Sequence, residues 1–491
     1  MDVTKDAKHP IDGPSLDPAD WQAMRQLAHT MVDDMLHFLQ TVDDRPVWIP
    51  PSPTALSETN TPLPLEPTSP IKVYLTFRDH IMPFVKGNIS PRHFSWVEGT
   101  GTVMGMMADM LAAGMNPNVT IGNHMAMAID SRVIEWCRQL MNMPDTTSGM
   151  LVSGGSMANI TALSVARNSL YGGQIRRQGL LQTGRQLVVY CSSQTHNCVN
   201  KAVEALGIGS DYLRLIPVDE HFKIRIDLLK HQIAEDQAAG LQPFCIIGNA
   251  GTVNTGAIDP LDELMAIARS EDLWFHVDGA FGAVAKITPE YAPQLNAIEQ
   301  ADSLAFDLHK WFYVNYEVGC VLIRDRKTHR DAFRMDADYL TMHERGLASG
   351  PETLSHYGLE LSRGFKALKV WMSFMEHGLN RYRNIVERNI AQARYLGDLV
   401  AKNAHLELMT PVSLNIVCFR YRFNTTDTDI QNERNRELLM RLHESGVATP
   451  SYTILDGAYC IRVNITNHRT QSKHLRLMLD TILQIGKELD T

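Results

Sequence analysis

Six short apolar runs lie between residues 186 and 323, at 186–191, 213–218, 244–248, 273–277, 303–306 and 320–323, with helical or loop segments between them. Runs of this length and spacing predict strands joined by crossover connections, and so an α/β fold with a mostly parallel sheet. The chain has 491 residues, 44% of them hydrophobic, enough to bury such a sheet in one large body with smaller appended domains. In sheets of this kind ligands gather beyond the carboxyl ends of the strands. The residues that close each run are therefore where chemistry is expected.

His276-Val-Asp278-Gly-Ala280 closes the fourth run, and Phe306-Asp307-Leu-His309-Lys310-Trp311 closes the fifth. An aspartate and a lysine at the ends of neighbouring strands are what an enzyme needs to hold pyridoxal 5′-phosphate. The lysine amine condenses with the cofactor aldehyde as a Schiff base, and the carboxylate keeps the pyridine nitrogen protonated so that the ring accepts electrons. An unpaired Asp278 at a buried strand end would be costly, so a partner is expected. The competing chemistry is a metal, with His276 and Asp278 on one strand face and His309 or His196 as a third ligand. It leaves Lys310 without a role, and no metal is expected.

Ser153-Gly-Gly155-Ser156-Met-Ala-Asn159 precedes a helical run at 160–168. Free amides at a helix start, glycines that admit close approach and a serine hydroxyl make an anion cradle for the cofactor phosphate at Gly155 and Ser156. Alone, such a Gly-Gly pair is more often an ordinary turn, and the downstream aspartate and lysine reverse those odds. Thr252 follows Gly248-Asn-Ala-Gly251, where its hydroxyl either meets a ring substituent or belongs to an ordinary loop. His196, just after a strand, is placed to stack on the ring and contact the substrate carboxylate, although a lone histidine is more often a satisfied polar residue.

The net charge of −9 with both signs interspersed argues against nucleic acid or an anionic membrane and for small-molecule ligands. Seven scattered cysteines fit a reducing cytoplasm without disulfides. Residues 1–18 are polar, with no apolar targeting core, and no stretch approaches a membrane span; the expected location is cytoplasmic. A first helix is expected from an Asp17-Pro18 cap, with an apolar stripe from Trp21 to Leu39 and a proline-rich connector at 46–70. That stripe packs either on its own domain or on a second subunit. Residues 100–158 look helical. A long helical segment from about 365 leads to an α+β region with strands near 414–421 and 459–465 and a closing helix at 472–489.

Together, these motifs in this order resemble the group II pyridoxal-phosphate-dependent amino-acid decarboxylases, which include the aromatic amino-acid, histidine and glutamate enzymes. The resemblance covers nearly the whole chain. It implies the fold type I architecture: an N-terminal helical segment at 1–102 packing on a partner subunit, a large seven-stranded cofactor domain at 103–376 and a small C-terminal α+β domain at 377–491. It also implies a homodimer with shared active sites. Carried over by position, Lys310 matches the Schiff-base lysine, Asp278 the pyridine-nitrogen partner and His196 the stacking histidine. Gly155 and Ser156 match the phosphate cradle, Thr252 and Ala280 residues at the ring, and His309 the histidine before the lysine. Asp307 stands where several animal enzymes carry asparagine, and its carboxylate would repel the phosphate if both were charged and adjacent.

The implied reaction takes an L-amino acid, aromatic or large and apolar, to its amine and carbon dioxide. In family members a tyrosine on a mobile loop returns the proton to Cα. Residues 335–358 occupy that place, with Tyr357 as the candidate, whereas an ungapped match puts Leu354 there. Plant relatives with phenylalanine at that place form an aldehyde, ammonia and peroxide, so an aldehyde synthase is the alternative; a non-catalytic cofactor-binding regulator is a third. Residues 90–99 match the substrate-pocket loop. Trp96 falls at an aromatic pocket position, although Phe94 or Trp96 fits a plain core equally. Glu98 would suit a substrate hydroxyl or amine, and Arg92 an acid. Arg462 is expected either to hold a carboxylate in the closed state or to be a salt-bridged surface group.

Overall fold

A computed structural model of the chain describes residues 15–335, 343–350 and 352–490. Twelve strands form there: β1 His93–Phe94, β2 Ser148–Val152, β3 Leu187–Ser192, β4 Leu213–Ile216, β5 Gln242–Asn249, β6 Trp274–Asp278, β7 Ser303–Asp307, β8 Gly319–Ile323, β9 Leu406–Leu408, β10 Ile416–Tyr421, β11 Thr449–Leu455 and β12 Ala458–Asn464. Seven make one sheet in the order β2-β8-β7-β6-β5-β3-β4. β4, β3, β5, β6 and β7 are parallel, and β8 alone runs against its neighbours β7 and β2.

All six runs expected between 186 and 323 are strands of this sheet. β6 and β7 read as near-continuous apolar runs because the sheet is covered on both faces. β2 was not foreseen, because 100–158 is read as helical from its Met and Ala content. The helices there are Val103–Met115 and Met125–Leu140. β2 follows them, buried at four of its five residues, a length at which periodicity cannot separate a strand from buried helix.

Parallel register brings the useful strand ends together. Asn249 pairs with Asp278 across β5 and β6, and Asp278 pairs with Ala305 across β6 and β7. The carboxyl ends of β5, β6 and β7 thus share one edge, and Lys310 follows three residues after β7.

The other five strands form a second sheet, β1-β11-β12-β10-β9. The short β1 runs parallel to β11, with His93 opposite Thr449, and so ties the 90–99 loop to C-terminal residues. β10 and β12 lie where strands were expected near 414–421 and 459–465. The closing helix, Ser472–Leu489, has the expected bounds and buries Leu475, Met478, Leu479, Ile482 and Ile485, one face at helical spacing, in the small-sheet core. The long helix Lys366–Ala401 breaks at Gly378, whose φ of 65° favours glycine, beside the expected boundary at 376/377. Its residues up to Ile390 pack in the large-sheet core, and Ala393, Leu396 and Val400 in the small-sheet core.

Among the described residues, both sheets belong to one compact unit, Pro46–Trp48 with those from Gly87 onward; those up to Arg45 and over Ile49–Lys86 form another. In the latter, the first helix is Trp21–Gln40, capped by Asp20, not by the expected Asp17. The Asp20 carboxylate accepts from the Gln22 and Ala23 amides, two of the free donors of the first turn. The Tyr74 hydroxyl of helix Pro70–His80 donates to Asp34 Oδ2 at 2.5 Å, joining two helices of this unit. Of the apolar stripe only Leu27 is buried, and Trp21 is 65% exposed. No helix among the described residues is long and apolar enough to cross a membrane.

Candidate active site

A cavity of about 500 Å³ opens at the shared strand ends. Asp278 and Ala280 come from β6 and its turn, and Asp307, His309 and Lys310 from β7 and the segment after it. Gly155 and Ser156 line it at the start of the helix Gly155–Ser169, and His196 follows β3. Trp96 and Glu98 reach it from the loop after β1.

Asp278 is buried, and its two oxygens are held apart: Oδ1 accepts the Ala280 amide at 3.1 Å and Oδ2 the Asn159 amide group at 3.3 Å. Burial pushes its carboxyl above the usual carboxylate range. The Ala280 N–H and the nearby Lys310 and His196 only partly counter this, and Asp307 adds to the rise. A carboxylate so placed is matched by a cation facing it, such as a protonated ring nitrogen.

Lys310 Nζ donates to Asp307 Oδ2 at 2.8 Å. Burial pulls the amine's pKa down, but the charge and hydrogen bond of Asp307, with Asp278, outweigh it and leave it raised. The Asp307 carboxylate lies beneath the Gly154-Gly155 turn. A Cβ added at Gly155 would come within 3.0 Å of Oδ2, and one at Gly319 within 2.6 Å of Oδ1. The helix that starts there has no side-chain cap, so its positive end, together with Lys310, offsets the charge expected to repel a phosphate.

His196 stands open to the cavity, its Nδ1 accepting the Cys198 amide at 3.2 Å, which leaves the proton on Nε2. The protein atoms around it lower its pKa, so the ring is neutral at neutral pH. The His309 ring lies 4.4 Å from that of Tyr316, with Nε2 3.8 Å from Asp307 Oδ2. A Cβ added at Gly99 would fall 1.9 Å from the His309 carbonyl oxygen, so the pocket loop rests directly on the lysine segment. Trp96 adopts a left-handed φ of 47°, rare for a non-glycine residue. His93 links Glu98 to the second sheet, with Nε2 3.0 Å from Glu98 Oε2 and Nδ1 2.9 Å from Thr449 Oγ1.

Three expected site residues do not reach the cavity wall. Thr252 is buried behind Gly251 and Val253, and its hydroxyl pairs with that of Thr255 at 3.0 Å. Arg462 is neither a carboxylate clamp nor a surface group. It is buried in β12 and donates to the carbonyls of Asn254 and Trp96 at 3.1 and 2.9 Å, with burial lowering its pKa to about 10. It thereby braces the left-handed Trp96.

Tyr357 is a core side chain. It is 6% exposed, donates its hydroxyl to Glu352 Oε2 at 2.7 Å and stands edge-on to His329 among Met150, Val152 and Ala332. Residues 336–342 and 351 of the expected loop lie outside the described residues. Phe94 is core, and the Arg92 guanidinium donates to the Val447 carbonyl. His276 has both ring nitrogens engaged, by Ser303 Oγ and Asn159 Oδ1. Among the described residues no group of three or more His, Cys, Asp or Glu is placed to hold a metal ion.

Known proteins agree with this geometry. Residues 53–422 match the pyridoxal-dependent decarboxylase conserved domain. The chain belongs to the pyridoxal-dependent decarboxylase family. An aromatic-L-amino-acid decarboxylase of Bacillus atrophaeus is 34% identical over 472 residues, covering 95% of this chain and 96% of that one. A phenylacetaldehyde synthase of Petunia hybrida is 30% identical over 488 residues, covering 95% and 94%. In fold, the crystal structure of Oryza sativa TDC with PLP and tryptamine superposes with a TM-score of 0.87 at 24% identity, over 97% of this chain and all of that one. This decarboxylase therefore uses pyridoxal 5′-phosphate, carried as a Schiff base.

The residues present fit that cofactor: an uncapped helix start with Ser156 for a phosphate, a buried carboxylate for a ring nitrogen and a lysine for an aldehyde. The decarboxylase cavity also includes residues not anticipated from sequence, Tyr316, Phe281 and Asn249 among them, with Asn159 beneath it. Asn159 was within reach, since it lies four residues after Gly155 on one helix face.

Proposed function

We propose that the enzyme decarboxylates an aromatic L-amino acid to its amine and carbon dioxide, working as a homodimer in the cytoplasm. The observation that carries this reading is that Asp278 and Lys310 share one cavity whose lining includes Trp96, Val97, Phe281 and Tyr316. The bound cofactor supplies an electron sink for the pair left at Cα when carbon dioxide departs. Lys310 would hold the cofactor through its amine, the group that a substrate amine would replace. Asp278 keeps the ring nitrogen protonated. His196, neutral and open to the cavity, would stack on the cofactor ring and meet the substrate carboxylate. Gly155 and Ser156 would take the phosphate, and Ala280 and His309 would pack at the ring. Trp96 gives the aromatic side chain a surface, and Glu98, held by His93, accepts a hydrogen bond from a ring hydroxyl or N–H.

A second reading, the aldehyde synthase, is favoured by two observations: Tyr357 lies away from the cavity, and a phenylacetaldehyde synthase is 30% identical to the chain. Aromatic amino acids incubated with the holoenzyme in air separate the two. Amine and carbon dioxide in equal amounts are expected, whereas aldehyde with peroxide and no amine would reverse the assignment.

The dimer is supported by exposed Trp21 and Met31 on the first helix and by exposed Leu56, Leu63, Leu65 and Ile71 after it. Sedimentation equilibrium of the holoenzyme is expected to give twice the chain mass. A fully active monomer would exclude shared active sites.

A further inference from the structure

Behind Asp278 a file of buried polar groups runs through the sheet. The Trp274 indole Nε1 lies 2.7 Å from Ser303 Oγ, Ser303 Oγ 2.8 Å from His276 Nδ1, His276 Nε2 2.6 Å from Asn159 Oδ1, and Asn159 Nδ2 3.3 Å from Asp278 Oδ2. His276, Asn159 and Ser303 are fully buried.

The ends of the file dictate its direction. An indole N–H only donates and an ionised carboxylate only accepts. Asn159 must therefore turn its NH₂ to Asp278 and its oxygen to His276, and its second N–H meets Cys198 Sγ at 3.4 Å. The amide oxygen only accepts, so His276 carries its proton on Nε2. Burial lowers the pKa of His276 to about 3, so the ring is neutral and its Nδ1 accepts from the Ser303 hydroxyl. That hydroxyl oxygen in turn accepts from Trp274. In this one direction every bond is made. With Asn159 reversed, its oxygen would face Asp278 Oδ2, a repulsion that neither tautomer of His276 relieves.

We propose that His276 is a positioning residue for the cofactor. Acting through Asn159, it holds the Asp278 carboxylate in the ionised, hydrogen-bond-accepting state that the ring nitrogen requires. Neither His276 nor Ser303 lines the cavity. This rests on Asp278 being the partner of the ring nitrogen. Without His276, Asn159 is free to reverse, the carboxylate loses a donor, and the proton shared with the ring moves toward Asp278.

The test measures pyridoxal phosphate affinity and the pH titration of the bound cofactor's absorbance in His276→Phe, His276→Gln and Ser303→Ala. His276→Phe is expected to bind the cofactor about tenfold more weakly, as for a lost hydrogen bond to a charged group, with a smaller share of the bound cofactor protonated at the ring nitrogen across the titration. His276→Gln, whose amide N–H reaches the same oxygen, is expected to recover most of both. Ser303→Ala is expected to shift them in the same direction by less. A folded His276→Phe protein with unchanged affinity and titration overturns the proposal, as does a loss that Gln does not recover. If His276→Phe does not fold, an unchanged Ser303→Ala protein overturns it instead. Asp278→Asn, measured alongside, separates the two levels: no change there removes the ring-nitrogen assignment itself, whereas a change there with none at His276 removes only the relay.

Discussion

Lys310→Ala is expected to lower decarboxylation by roughly 10⁴-fold or more, the scale seen when a covalent catalytic group is removed, and to abolish the Schiff-base absorbance. The same change removes the ion-pair partner of Asp307, whose side chain is 2% exposed and whose Oδ1 already has no hydrogen-bond partner. An uncompensated buried carboxylate costs about 3–5 kcal/mol, so Lys310→Ala is expected to melt earlier than the parent. The double variant Lys310→Ala/Asp307→Asn is expected to regain stability without activity. Equal melting of single and double variants would show that Asp307 does not depend on the lysine.

The pair also sets the pH dependence of cofactor uptake. Only the neutral amine condenses with an aldehyde, and Asp307 raises the Lys310 pKa. The rate at which apoenzyme takes up pyridoxal phosphate is therefore expected to climb with rising pH. In Asp307→Asn, burial is left as the main influence and lowers the pKa, so the climb is expected at lower pH. Stopped-flow absorbance at several pH values reads both.

Asp278→Asn is expected to lower kcat by about 10²–10³-fold, the usual loss when one preorganised electrostatic group is removed from a reacting centre. The amide keeps the shape and can still accept the Ala280 N–H, but it has no charge to hold a proton on the ring nitrogen. Electron density then stays at Cα, and carbon dioxide leaves slowly. Because the lost charge acts after substrate is bound, kcat is expected to fall more than KM rises. Steady-state kinetics with saturating cofactor check this. A variant retaining a tenth or more of parental kcat would mean that ring protonation does not depend on Asp278.

Much of this site is legible in the amino-acid sequence because its chemistry is written at strand ends. Asp278 and Lys310 each close an apolar run, and a parallel sheet gathers such ends along one edge. The proposed phosphate cradle is legible for a similar reason, since Gly155 and Ser156 open a helix. The failures come where side-chain direction decides. Thr252 follows a cavity-lining glycine, yet its hydroxyl turns inward to Thr255. Tyr357 has suitable chemistry in a suitable segment, yet it sits in an apolar cluster with Glu352 to satisfy it. Arg462 lies near the pocket in space, but its guanidinium is committed to backbone carbonyls.

Sequence by itself determined the mostly parallel sheet and the aspartate–lysine pair that calls for pyridoxal phosphate, because periodicity and strand-end chemistry are local properties of the chain. Tertiary structure alone decided that Asp307 is tamed by Lys310 and a helix end, that Trp96 is braced by Arg462, and that Asp278 is backed by Asn159, His276 and Ser303. Those contacts join residues as much as 366 positions apart. A buried polar group must find its hydrogen-bond partner wherever the fold brings one, and composition and spacing carry no record of which partner that is.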